Sequence, residues 1–146
     1  MGTWPYVVFA LVAGSMLPLQ AGVNAILSRW VGGAIPAALV SFAVGTVALL
    51  AVALVFARPA VERVGDAPAW VWIGGLLGAF YVAGAIVTAP RLGAVLFLAV
   101  LLAGQSLSSL VVDHFGWIGF DEHPISAGRV VGVILLAAGV ALVRIY

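Results

Sequence analysis

IPAALVSFAVGTVALLAVALVF, residues 35–56, runs for 22 residues without one charged side chain. At about 1.5 Å of rise per residue, a helix of that length covers about 33 Å, slightly more than the roughly 30 Å hydrocarbon core of a bilayer. Its hydroxyl residues, Ser41 and Thr46, can each bond a carbonyl of their own helix and so leave the cylinder apolar. Pro36 falls in the first turn, where a missing N–H costs nothing. The whole chain has the same character: 65% of its residues are hydrophobic and 8% charged. A soluble domain carries about 25% charged residues, so most of this surface faces lipid.

Four further runs flank the first: from about Tyr6 to Leu27, Trp70 to Ala89, Leu92 to Val112 and Ser126 to Ile145. The expected class is therefore an all-α membrane protein with five transmembrane helices. Five spans of about 20 residues occupy most of the 146 positions, so a single transmembrane domain is expected over residues 1–146. Trp4, Trp30, Trp70 and Trp72 stand at span ends as interfacial anchors. Pro18 sits inside the first span, withdraws the donor for the Gly14 carbonyl and bends the helix there. Pro90 marks the exit of the third. Residues 1–5 contain no basic side chain, so the first run reads as a retained span and not as a cleaved signal. The chain has no cysteine, which excludes disulfides and thiolate chemistry, and a net charge of +1, which gives nucleic acid no basic patch. A multi-pass protein of the inner (plasma) membrane is expected.

Loops alternate sides across five spans. One side then holds Arg58, Arg63 and Arg129, the other Arg29, Arg91 and Arg144, and there is no lysine. Excess Lys and Arg in cytoplasmic loops orients a membrane protein, and here the excess is zero. Insertion in both orientations follows, with antiparallel pairing of the two forms into a ten-helix inverted-repeat assembly. Small-residue rows can mediate either packing inside one subunit or contact between two. Gly74 and Gly78, with Gly75, Ala79 and Ala83, form one such row in span three, and Gly128 and Gly132 form another in span five. Span five, with the fewest polar groups, is the favoured dimer contact.

Strongly polar side chains inside a bilayer are costly unless partnered, so each one counts. Gln20, Asn24 and Ser28 recur at spacing four and share one face of the first span. Gln105, Ser109 and Asp113 form a second stripe in span four, with Ser106 beside the glutamine. Tyr81 falls near the middle of span three. These groups can serve as interhelical glue or as the lining of a substrate cavity near the midplane, and two stripes beside a mid-helix proline favour the cavity. Asp113 and His114, at the end of span four, are either a solvated cap or a proton-handling pair. Asp121, Glu122 and His123 lie adjacent on a loop with no further ligand in view, so a metal site is rejected and no cofactor is expected. No Asp or Glu lies inside a span, which suits a neutral, zwitterionic or anionic small molecule better than a cation.

The chain resembles the YdcZ family of the drug/metabolite transporter superfamily. The resemblance rests on residues 20–24 (QAGVN), 40–46 (VSFAVGT), 72–81 (WIGGLLGAFY), 104–106 (GQS) and 113–116 (DHFG), spread over nearly its whole length. It implies five spans per unit and assembly as dual-topology homodimers, oppositely oriented pairs or fused ten-span chains around a central cavity. The related small multidrug transporters use a glutamate in their first span, and nothing here matches it.

The resulting expectation is a non-enzymatic, dual-topology secondary transporter, an exporter or exchanger of a small molecule working by alternating access. Gln20, Asn24, Tyr81, Gln105, Ser106 and Ser109 would bind substrate; Pro18, Asp113 and His114 would gate or handle protons. Its rivals are a non-transporting subunit that binds another membrane protein, a passive channel, and an intramembrane enzyme. The last lacks a buried nucleophile paired with a base, since His114 and His123 lie outside the spans.

Overall fold

The computed structural model describes residues 2–56 and 61–146; Arg58, one of the six arginines of the topology argument, lies outside the described residues. Five helices are long and apolar enough to cross a membrane. They are α1 (Trp4–Trp30), α2 (Ala34–Phe56), α3 (Ile73–Leu92), α4 (Ala94–Phe115) and α5 (Ala127–Ile145). The turn Ala69–Trp72 is a 3-10 segment leading directly into α3, with Pro68 before it, so the expected third span begins in that turn.

Two compact units make up the chain, Met1–Arg91 and Leu92–Tyr146. In the first, α1 and α2 form a hairpin closed by Gly32 and Gly33 at φ +86° and +134°, backbone that side chains rarely tolerate. The Gly33 N–H donates to the Ser28 carbonyl at 2.8 Å, tying off the end of α1. α3 packs on this hairpin: Ala37 and Ala38 of α2 meet Val82 and Ile86 of α3, with Leu27, Val31 and Tyr81 against the cluster. Eight apolar residues are buried among the described residues, and five of them are alanines. Small side chains thus dominate the contact, as expected where lipid removes the hydrophobic drive between helices, and the backbones of α1 and α2 come close. Large apolar side chains such as Phe9, Leu49, Phe80 and Ile145 point outward instead.

The glycine rows behave differently from one another. A Cβ at Gly78 would meet the Phe42 ring at 3.5 Å, an ordinary van der Waals contact, so Gly78 faces α2 without its packing requiring a glycine. A Cβ at Gly74, Gly75, Gly128 or Gly132 would meet nothing within 4 Å among the described residues.

In the second unit, α4 and α5 pack along one another. The turn between them has defined stops at both ends. Gly116 caps α4 in the left-handed region, and the Ser126 hydroxyl accepts from the Arg129 N–H at the start of α5, as its position predicts. α4 extends one turn beyond the apolar run, so Asp113 and His114 are helical residues in its last turn. α1 likewise runs unbroken through Pro18, and α3 through Pro90 to Leu92. Pro90 lies near the end of α3 and removes a bond that fraying would weaken anyway, whereas Pro18 takes one from the middle of α1.

Candidate functional site

Within the first unit, α1 presents Leu17, Gln20, Ala21 and Asn24, one helical face at spacings of three and four, toward Tyr81, Val82 and Ala85 of α3. Small residues decide how close this face comes. Ala21 and Ala85 are buried, and the approach they allow leaves Asn24 only 5% exposed. The Asn24 Nδ2 has no hydrogen-bond partner among the described residues. A buried amide donor left unpaired costs about 1–3 kcal/mol, a cost that packing alone does not explain. Ser28, the third member of the stripe, donates to the Ala25 carbonyl at 2.8 Å and so asks for nothing more. Gln20 is exposed and lies between two clefts. Beyond the one it shares with Asn24 and Tyr81, it borders a second of about 220 Å³ with Ser41, Phe42, Gly45, Thr46, Leu49 and Val82. Thr46 is satisfied by the Phe42 carbonyl at 2.8 Å and is spare lining. Pro18 lies two residues before Gln20, where the helix is already short of one bond.

The second unit contains a larger groove of about 490 Å³. One wall is the α4 face Leu102, Gln105, Ser106, Ser109, Leu110 and Asp113; the other is Arg129, Gly132, Val133 and Leu136 of α5. Both walls follow helical periodicity, so each is a single stripe. The volume lies within the 300–1,000 Å³ typical of small-molecule sites. Gln105 stands halfway along α4 and is exposed, with no hydrogen bond among the described residues. Ser108, off this face, donates to the Gly104 carbonyl, whereas the Ser106 and Ser109 hydroxyls make no such bond among the described residues.

Charge enters the groove at one end only. Arg129 Nη1 donates to Asp113 Oδ2 at 3.2 Å and to the His123 carbonyl at 3.1 Å. The side chains are 36% and 30% exposed, so the pair contributes at most about 1 kcal/mol. The Asp113 carbonyl accepts from the His123 N–H at 2.7 Å, and His114 Nδ1 accepts from the Ile125 N–H at 3.3 Å. These bonds fold the α4–α5 turn back onto the end of α4. His114 also meets Phe115 edge-on, and Phe115 stacks on Trp117 at 4.8 Å. To accept at Nδ1, the His114 ring must hold its proton on Nε2.

The expected site residues thus fall into two groups. Gln20, Asn24 and Tyr81 converge in one unit; Gln105, Ser106, Ser109 and Asp113 line one wall in the other, with His114 turned to the backbone. Arg129 escaped the sequence reading, which counted it only toward topology. Its signal was the α5 stripe Arg129, Gly132, Val133, Leu136, whose glycine leaves room below the guanidinium. Chemically, the first group offers amide and phenol hydroxyl, the second amide, hydroxyl, one carboxylate and one guanidinium.

No curated protein and no solved structure matches the chain. A family model does, over residues 5–142, and its description reads "Putative inner membrane exporter, YdcZ". That match covers nearly the whole chain and all five helices of spanning length. The protein therefore belongs to the YdcZ family and is a multi-pass inner-membrane protein of transporter type.

Proposed function

We propose that the protein is a dual-topology secondary transporter, an exporter or exchanger of a small molecule, working as an antiparallel homodimer of ten helices. The observation that carries the reading is Asn24: a buried amide in the second half of α1, its Nδ2 unpaired among the described residues, beside Gln20 and Tyr81. Glue would be bonded. An amide left without a partner fits a ligand that comes and goes. The space beside it is about 10 Å³, less than a ligand needs, so in this reading α1 and α3 part to admit one. Gln105, Ser106 and Ser109 add a second uncommitted polar surface, and family membership supplies the transport class. In this reading Pro18 and the turn around Asp113 and His114 flex as access alternates between the two sides. Two copies related by an antiparallel two-fold exchange conformations as the site changes sides, so the two states are nearly equal in energy. The proposal assigns the protein no catalytic role.

The test is flux. Proteoliposomes are loaded with a labelled small-metabolite extract, and efflux is followed by mass spectrometry against empty liposomes. Selective loss of particular metabolites, abolished by Gln20→Ala and by Gln105→Ala, is expected. Unchanged flux together with a weakened dimer in those variants would establish the stripes as assembly surfaces and the protein as a non-transporting subunit. Flux that never saturates would identify a channel.

A further inference from the structure

We infer that the α4–α5 groove takes a small monocarboxylate, whose charged end is held by Arg129, and that Asp113 is the chain's own competitor for that guanidinium. The inference rests on the transporter reading only in taking this ligand as the cargo.

Four observations converge on it. First, Arg129 is the one cationic side chain lining the groove, placed at its end above a wall of leucines and valine. Second, its present bonds are incomplete. Both leave from Nη1, one to Asp113 Oδ2 and one to the His123 carbonyl, so Nε and Nη2 make no hydrogen bond among the described residues. A guanidinium is a planar fork with five donors, and its favoured partner is a carboxylate taken by two of them at once. The single-nitrogen contact at 3.2 Å is the looser arrangement.

Third, the groove below has the rest of a recognition surface. Gln105, Ser106 and Ser109 offer uncommitted hydrogen-bonding groups along one wall, for a hydroxyl, amide or keto oxygen on the ligand body. Leu102, Leu110, Val133 and Leu136 offer apolar contact, and Gly132 keeps the space beneath Arg129 clear. A ligand with one carboxylate, a short apolar body and one polar substituent matches this order of groups. Fourth, the alternatives fit less well. An organic cation would meet Arg129 at the charged end, with the only carboxylate already engaged there. A neutral ligand would leave the fork of Arg129 half used, whereas a carboxylate engages two of its donors at once.

Asp113 then has a defined role. Its carboxylate neutralises Arg129 while the groove is vacant and gives ground when a better-placed carboxylate arrives. Removing that charge strengthens anion binding, the opposite of what a supporting residue would do.

The experiment uses purified protein in nanodiscs and three probes sharing one ring: benzoate, benzamide and benzylammonium, titrated by calorimetry. Saturable benzoate binding at least about tenfold tighter than benzamide, with benzylammonium weakest, is expected for a fork–carboxylate contact. Arg129→Gln should erase the preference for benzoate, and Arg129→Lys should restore part of it. Asp113→Asn should tighten benzoate binding by about three- to tenfold and leave benzamide unchanged. Because Arg129→Gln can fail by misfolding, the Asp113→Asn result decides alone: weaker benzoate binding there overturns the inference. Equal binding of benzoate and benzamide to the wild type, or no saturable benzoate binding, overturns it as well. The flux assay stays separate. Benzoate preference without metabolite efflux keeps the site and removes transport; efflux without benzoate preference does the reverse.

Discussion

At Asn24 a single side chain separates two kinds of polar group in lipid. A bonded amide stabilises a helix pair by about 0.6 kcal/mol and rarely more than about 2. An unbonded one stabilises nothing. Asn24→Ala should therefore leave stability in detergent, read by thermal unfolding, unchanged within about 1 kcal/mol, or raise it, because removal of an unpaired donor offsets the loss of a small volume. Flux through the same protein should be lost. A clear drop in midpoint with flux preserved would return Asn24 to the role of glue. The polar stripe was legible from spacing alone, since a repeat of four puts Gln20 and Asn24 on one face whatever they touch. Whether Asn24 was satisfied could not be read, because that depends on Ala21 and Ala85 letting α3 come close. Arg129 shows the converse. Its partner Asp113 lies sixteen positions away, across a turn whose geometry depends on Gly116, and no periodicity within one helix reports such a pair.

Elements follow from composition in their number and order, while their ends do not. Apolar runs report where lipid is, but a helix continues as long as its backbone bonds do. α4 accordingly carries Asp113 to Phe115, and α1 extends to Trp30. At about 40 Å, α1 exceeds the hydrocarbon thickness and has its terminal turns among the headgroups. Two glycines set where helices stop. Gly93, φ +79°, is the single residue between α3 and α4, and Gly116, φ +59°, would bring a Cβ within 3.4 Å of the Glu122 Cβ. Gly93→Ala and Gly116→Ala should each destabilise by about 1–2 kcal/mol, seen as a lower midpoint in thermal unfolding. Gly139, inside α5 with nothing within 4 Å, should tolerate alanine or gain stability from it. Gly132→Leu tests the groove at the same scale. It should fill the space under Arg129 and abolish benzoate binding while far-ultraviolet circular dichroism stays unchanged.

At the scale of the molecule the arginine count gives a prediction that needs no ligand. Tyr146 is fully exposed at the end of α5, so added charge there strains nothing. Two arginines appended after it should fix one orientation, read by accessibility of terminal tags in intact cells. Flux should fall to background, then return when this form is co-expressed with a copy biased the other way by arginines at Gly2 and Thr3. Full flux from one biased form by itself would refute antiparallel assembly. Five spans and a membrane location were legible because 30 Å of hydrocarbon demands a minimum run of apolar residues. The proposed assembly rests on a weaker trace, a charge difference of zero between the two sides. The uncommitted glutamine at the middle of α4 has a cellular corollary. Under the proposed pairing, a protomer without its mate would display a polar flank to the lipid, a mark by which membrane proteases can recognise orphan subunits. Its half-life should then track the supply of mates: short when one biased form is made alone, longer when both are synthesised together.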